Sequence, residues 1–84
     1  MRRDKPITVD GCTATPRQQS IAWRYWFFMG GGDRELLASE LAMAGLDDPE
    51  FGRVCITAAS RMLQKARKAG EIRFNGRVWE PVRP

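Results

Sequence analysis

Arg53, Thr57, Ser60, Arg61, Gln64, Arg67 and Lys68 recur mainly at three- and four-residue intervals in this 84-residue chain, the spacing that gathers side chains on one face of an α-helix. The chemistry of the set is hydrogen bonding rather than bond breaking. Arginine and lysine donate to guanine edges and phosphate oxygens, glutamine makes a paired contact with adenine, and serine and threonine hydroxyls serve phosphate or base edges. Ordinary solvated helix faces have a related composition. This one is set apart because Glu50 is its only acid and a basic β-hairpin follows it directly.

Residues suited to catalysis are few. The chain has no histidine and two cysteines, Cys12 and Cys55, far apart. That argues against a disulfide scaffold, a zinc site and any nucleophile–histidine pair. The acidic clusters are Asp33 with Glu35, and Asp47 with Asp48 and Glu50. Helix capping accounts for Asp33 and Asp48, and solvation for the rest. Gly30-Gly31-Gly32 lacks the Lys-Ser/Thr of a phosphate loop and follows a predicted helix, so it is a helix stop. The expectation is a protein that is not an enzyme and uses neither metal nor cofactor.

Charge is segregated. Residues 1–32 carry five Lys/Arg against two Asp/Glu, residues 33–50 one against six, and residues 51–84 eight against two, for net charges of +3, −5 and +6. A domain that turns one face to phosphate has this distribution. A chain of this length builds one small domain with a single modest core. No apolar run approaches the roughly twenty residues of a membrane span, and a cytoplasmic location is expected.

The elements that must position the basic face follow from local signals. Thr15-Pro16-Arg17-Gln18 has the form of a capping box with proline at the first helical position, which starts a helix running to about Met29. Asp33 caps a second helix over 34–44, with Leu36, Leu37, Leu41 and Ala44 inward and Gly45 as its stop. Asp48-Pro49 starts a third helix, about 49–69, whose first turn is separate if Gly52 breaks it. Phe51, Cys55, Ala59, Met62, Leu63 and Ala66 then form an apolar stripe about 120° wide, opposite the basic face.

After Gly70, Glu71-Ile72-Arg73-Phe74, Asn75-Gly76 and Arg77-Val78-Trp79-Glu80 predict a hairpin with a two-residue type I′ turn. The register would set Phe74 against Arg77, Arg73 against Val78 and Ile72 against Trp79. Ile72, Phe74 and Trp79 share one face, with Arg73 and Arg77 near the tip.

The first helix has two apolar faces. Ile21, Tyr25, Phe28 and Met29 cluster on one, and Trp23, Trp26 and Phe27 on nearly the opposite one. One packs on the domain and the other needs cover from the N-terminal arm, the hairpin or a second subunit. Intramolecular cover and a homodimer through this helix stand as equal alternatives, with Trp23, Trp26 and Phe27 as the candidate partner or dimer interface. Residues 1–14 are expected to be a flexible arm with at most a short strand around Ile7–Val9.

The order of three helices and a hairpin, with the string Thr57-Ala58-Ala59-Ser60-Arg61-Met62-Leu63-Gln64-Lys65-Ala66-Arg67-Lys68-Ala69-Gly70-Glu71-Ile72, resembles the recognition helix and wing of winged helix-turn-helix DNA-binding domains of bacterial or phage type. The resemblance implies a mainly α fold with a small β-hairpin over residues 15–84, with the third helix in the major groove of double-stranded DNA and the hairpin on the adjacent backbone. The linker 45–51 is longer and more acidic than a tight helix-turn-helix turn. On this reading Thr57, Arg61 and Gln64 read bases, and Arg53, Ser60, Lys65, Lys68, Arg73 and Arg77 contact phosphate. The function implied is that of a small transcriptional regulator or mobile-element accessory factor. The alternative is a winged-helix protein-interaction module working through the aromatic face of the first helix.

Overall fold

The computed structural model describes residues 5–46 and 52–82. Among the described residues it is an α+β fold of three helices and two small antiparallel hairpins: β1 (Ile7–Val9), β2 (Cys12–Ala14), α1 (Pro16–Phe28), α2 (Arg34–Met43), α3 (Arg53–Lys68), β3 (Ile72–Phe74) and β4 (Trp79–Pro81). Basic Arg2 and Arg3, the acidic break at Asp47, Asp48 and Glu50, and the expected start of the third helix at Pro49 lie outside the described residues.

Residues 7–14 differ from the expected arm. Asp10 (φ 49°) and Gly11 (φ 79°) both take the positive φ that a type I′ turn requires, so β1 and β2 pair tightly, Val9 opposite Cys12 and Ile7 opposite Ala14. Thr8 and Thr13 face solvent while Val9 and Ala14 are buried. A lone two-stranded hairpin is marginal in water, and this one is fastened to α1 by Gln19. That buried amide donates from Nε2 to the carbonyls of Lys5 at 2.8 Å and Ala14 at 2.9 Å. The signal was present in the sequence as Asp-Gly between two alternating triplets.

α1 opens with the expected capping box. Thr15 Oγ1 accepts from Gln18 N at 3.1 Å, and Gln18 Oε1 accepts from Thr15 N at 3.0 Å. Asp33 Oδ1 caps α2 by accepting from Leu36 N at 2.8 Å. α3 begins after Gly52 without a side-chain cap, and the end of the helix at Gly70 is closed by Glu71 N donating to Ala66 O at 3.0 Å.

The core is where the three helices meet. Trp26, Leu37, Leu41, Val54 and Met62 are fully enclosed, and α3 contributes Cys55, Ala58, Ala59, Leu63 and Ala66 as a continuous inward stripe. Trp23 and Trp26 are 4 % and 0 % exposed. With Phe27 they form a cluster whose ring centroids lie 5.2–5.5 Å apart. Of the partner or dimer interface expected at Trp23, Trp26 and Phe27, the two tryptophans are covered within the chain and Phe27 is half-buried against the core, while the opposite face of α1 is the one left in water. Ala22, one residue before Trp23 and also fully buried, adds a small side chain to the same packed face.

The C-terminal hairpin also departs from expectation. Ile72 pairs with Pro81, Arg73 with Glu80 and Phe74 with Trp79, a register two residues away from the predicted one. Only Gly76 in the loop has positive φ, so the two-residue type I′ turn is not formed. Instead the Asn75 side chain accepts from the N–H groups of Arg77 and Val78, both at 3.0 Å, and organises the four-residue loop 75–78. An even shift leaves each side chain on its predicted face, so Ile72, Phe74 and Trp79 still share one.

Candidate nucleic-acid interface

The inward stripe of α3 fixes what the helix presents outward. Its 16 residues include Arg53, Arg61, Lys65, Arg67 and Lys68 and no acid, and all five cations are exposed. Lys65, Arg67 and Lys68 occupy the last turn, where they also favour the negative end of the helix dipole. Gln64 is exposed, and Thr57 and Ser60 are half-buried. Helical geometry puts Thr57, Ser60, Gln64, Arg67 and Lys68 along the middle of the solvent face, with Arg61 and Lys65 on one flank.

A shallow groove runs between α3, the start of α2 and the C-terminal hairpin. It brings Ser60 and Gln64 of α3 together with Arg77 of the hairpin loop. Those three residues, far apart in sequence, form one surface. Asp33, Arg34 and Glu35 border the same groove. Asp33 is engaged as the α2 cap, and Glu35 lies 4.0 Å from Arg34 on an exposed surface, so both acids have a local positive counterpart.

Other expected contact residues have protein partners. Arg61 Nη1 donates to the Thr8 carbonyl at 3.0 Å, which draws the guanidinium toward the N-terminal hairpin. Arg53 Nε sits 3.7 Å from Asp10 Oδ2 at the turn of that hairpin. Arg73 Nε donates to Glu80 Oε1 at 2.8 Å across the β3–β4 ladder. Glu80 also accepts from the Asn75 amide at 3.3 Å. The Arg73 hydrogen bond, then that of Asn75, holds the Glu80 carboxyl below the usual glutamate range despite partial burial. Arg73 thus carries a neutralising carboxylate, whereas Arg77 at the loop does not share it.

Arg67 is the residue that sequence reasoning placed on this face without giving it a contact. Its position between Gln64 and Lys68 on the solvent side follows from the same 3.6-residue period. Among the described residues there is no group of histidine, cysteine and acidic side chains arranged to hold a metal ion, and no helix is long and apolar enough to cross a membrane. Comparison with protein-family models, with curated proteins and with solved structures found no match.

Proposed function

We propose that this domain binds double-stranded DNA as a winged helix-turn-helix module, with α3 entering the major groove and the β3–β4 hairpin lying on the neighbouring backbone. The observation that carries this reading is the solvent face of α3. It holds five cations, no acid and a central Gln64, and the groove beside it adds Arg77 from the hairpin. Such a surface supplies phosphate neutralisation along its length and base-reading donors at its centre. Gln64 and Thr57 are assigned to base edges, with Arg61 reaching bases from the flank while its other donors remain available beside the Thr8 contact. Arg53, Ser60, Lys65, Arg67, Lys68 and Arg77 are assigned to phosphate, and Arg73 joins them once its hold on Glu80 is loosened. The biological role is that of a small transcriptional regulator or mobile-element accessory protein without catalysis.

Fluorescence anisotropy of the purified chain against mixed-sequence duplex DNA, repeated from low to physiological salt, tests the reading. Affinity should fall steeply as salt rises, and Arg67→Ala/Lys68→Ala should weaken binding and flatten that dependence. Failure to bind at low salt would overturn it.

A further inference from the structure

Burial of the tryptophan face leaves the other side of α1 in water. Tyr25, Phe28 and Met29 are 53, 84 and 63 % exposed, and Met43 of α2 is 81 % exposed. These side chains surround two adjoining hollows on one side of the molecule. The first is lined by Arg24, Tyr25, Phe28, Met29 and Glu40, and the second by Ile21, Tyr25, Glu40, Met43 and Ala44. Neither includes a residue of α3 or of the C-terminal hairpin.

We propose that this α1–α2 face is the interface of a two-fold symmetric homodimer, with a second copy of the chain as its occupant. Two observations select that occupant. The first is area: four large, mostly apolar residues at these exposures present about 600 Å², at the upper end of the largest patch on a typical monomer. With the surrounding rim this approaches the roughly 800 Å² each partner contributes to a stable interface.

The second is charge. Arg24 and Glu40, of opposite sign, border the same apolar hollow and form no ion pair with each other. A two-fold contact is isologous, so each contact made by one copy is repeated in reverse by the other. A patch bearing one cation and one anion is complementary to itself under that operation, with Arg24 of each copy meeting Glu40 of the other. The protruding Phe28 and Met43 side chains then enter the hollows beside Tyr25. Both α3 faces stay open in such a dimer, which suits a protein that grips two half-sites, although the dimer does not depend on the DNA reading.

Sedimentation velocity of the full chain without DNA, over about 1–100 µM, tests the proposal independently of any nucleic acid. The wild-type chain should move from monomer to dimer across that range. Phe28→Glu and, separately, Met43→Glu should remain monomeric with unchanged circular dichroism and Tm, because both side chains are already exposed in the monomer. Arg24→Glu should raise the dissociation constant about tenfold or more, and adding Glu40→Arg should restore dimerisation. A monomer throughout the range, a dimer that both glutamate variants leave intact, or a charge swap that fails to restore association would each overturn the proposal.

Discussion

The backbones of Gly32 and Trp79 exchange two hydrogen bonds, Gly32 N to Trp79 O at 2.9 Å and Trp79 N to Gly32 O at 3.0 Å. This bridge fastens the C-terminal hairpin to the loop between α1 and α2, and so fixes Arg77 beside α3. A hairpin tethered only through Gly70 would be free to swing away from the groove. The bridge turns a local supersecondary element into part of a rigid surface.

Gly31 permits that close approach. Its φ is 96°, and a Cβ there would overlap the Trp79 carbonyl oxygen and sit 2.9 Å from Glu80 Cα. Gly31→Ala should therefore cost about 2–3 kcal/mol through backbone strain and collision together. Gly30→Ala is the comparison: it has φ 83° but open space around the added methyl group. It should cost only the conformational penalty of about 1–2 kcal/mol. Thermal denaturation of the two variants checks the ranking. Equal losses would mean that the Trp79 contact contributes nothing.

Trp26 is fully enclosed, stacks edge-on with Trp23 and Phe27, and donates from Nε1 to the Asp33 carbonyl at 3.4 Å. Trp26→Ala should destabilise the domain by about 3–5 kcal/mol, a large part of the stability of so small a fold. Phe28→Ala, two positions along α1 and 84 % exposed, should leave monomer stability within about 0.5 kcal/mol. Urea denaturation at low protein concentration separates the two. A surface role for Trp26 would predict the reverse order.

How much of this was legible beforehand depended on whether the deciding forces were local. The capping box of Thr15 and Gln18, the Asp33 cap, the glycine stops and the inward stripe of α3 are encoded within a turn or two of helix, and they appear as expected. The two faces of α1 were legible as faces, but the choice between them was made by tertiary packing. Trp23 and Trp26 fill the core, whereas Tyr25 and Phe28 stay in water. The hairpin register was missed because the Asn75 side chain bonds to the loop backbone, while Trp79 is held by Gly32 and the Arg73–Glu80 and Phe74–Trp79 pairs align across the strands. These contacts link segments that a dipeptide rule does not see. At the candidate site, the basic face of α3 was written in its periodicity. The diversion of Arg61 to Thr8 and of Arg73 to Glu80 was not, since each partner lies on another strand.

Glu80 links the C-terminal hairpin to pH. Its folded-state pKa is lowered by Arg73 first and Asn75 second. The resulting stabilisation is fully present above the ordinary glutamate pKa, about 4.3, and is lost as pH falls through the lower folded value. Glu80→Gln should lower Tm at neutral pH, with the difference from wild type closing under more acidic conditions. The same substitution releases Arg73 from its carboxylate, so the salt dependence of DNA binding should steepen by about one unit of slope. A Tm difference that stays constant down to strongly acidic pH would contradict the linkage.

Gln64 and Lys68 lie one helical turn apart on the solvent face of α3, and their chemistries predict different consequences of removal. A glutamine amide offers a donor and an acceptor together, which matches the N6 and N7 edge of adenine, whereas a lysine ammonium neutralises phosphate without regard to sequence. On a duplex enriched by selection with the protein, Gln64→Ala should therefore cost about 1–3 kcal/mol, yet leave binding to mixed-sequence duplex nearly unchanged. Lys68→Ala should weaken both duplexes by similar factors and reduce the salt slope by about one. Arg61→Ala should fall between these patterns, because one guanidinium nitrogen is committed to the Thr8 carbonyl at 3.0 Å and the remaining donors sit on the flank of the solvent face. Anisotropy titrations of the three variants on both duplexes, at two salt concentrations, resolve these cases. If Gln64→Ala and Lys68→Ala produced equal losses on both duplexes, α3 would be a uniform electrostatic surface, and the sequence-specific part of the proposed function would fail.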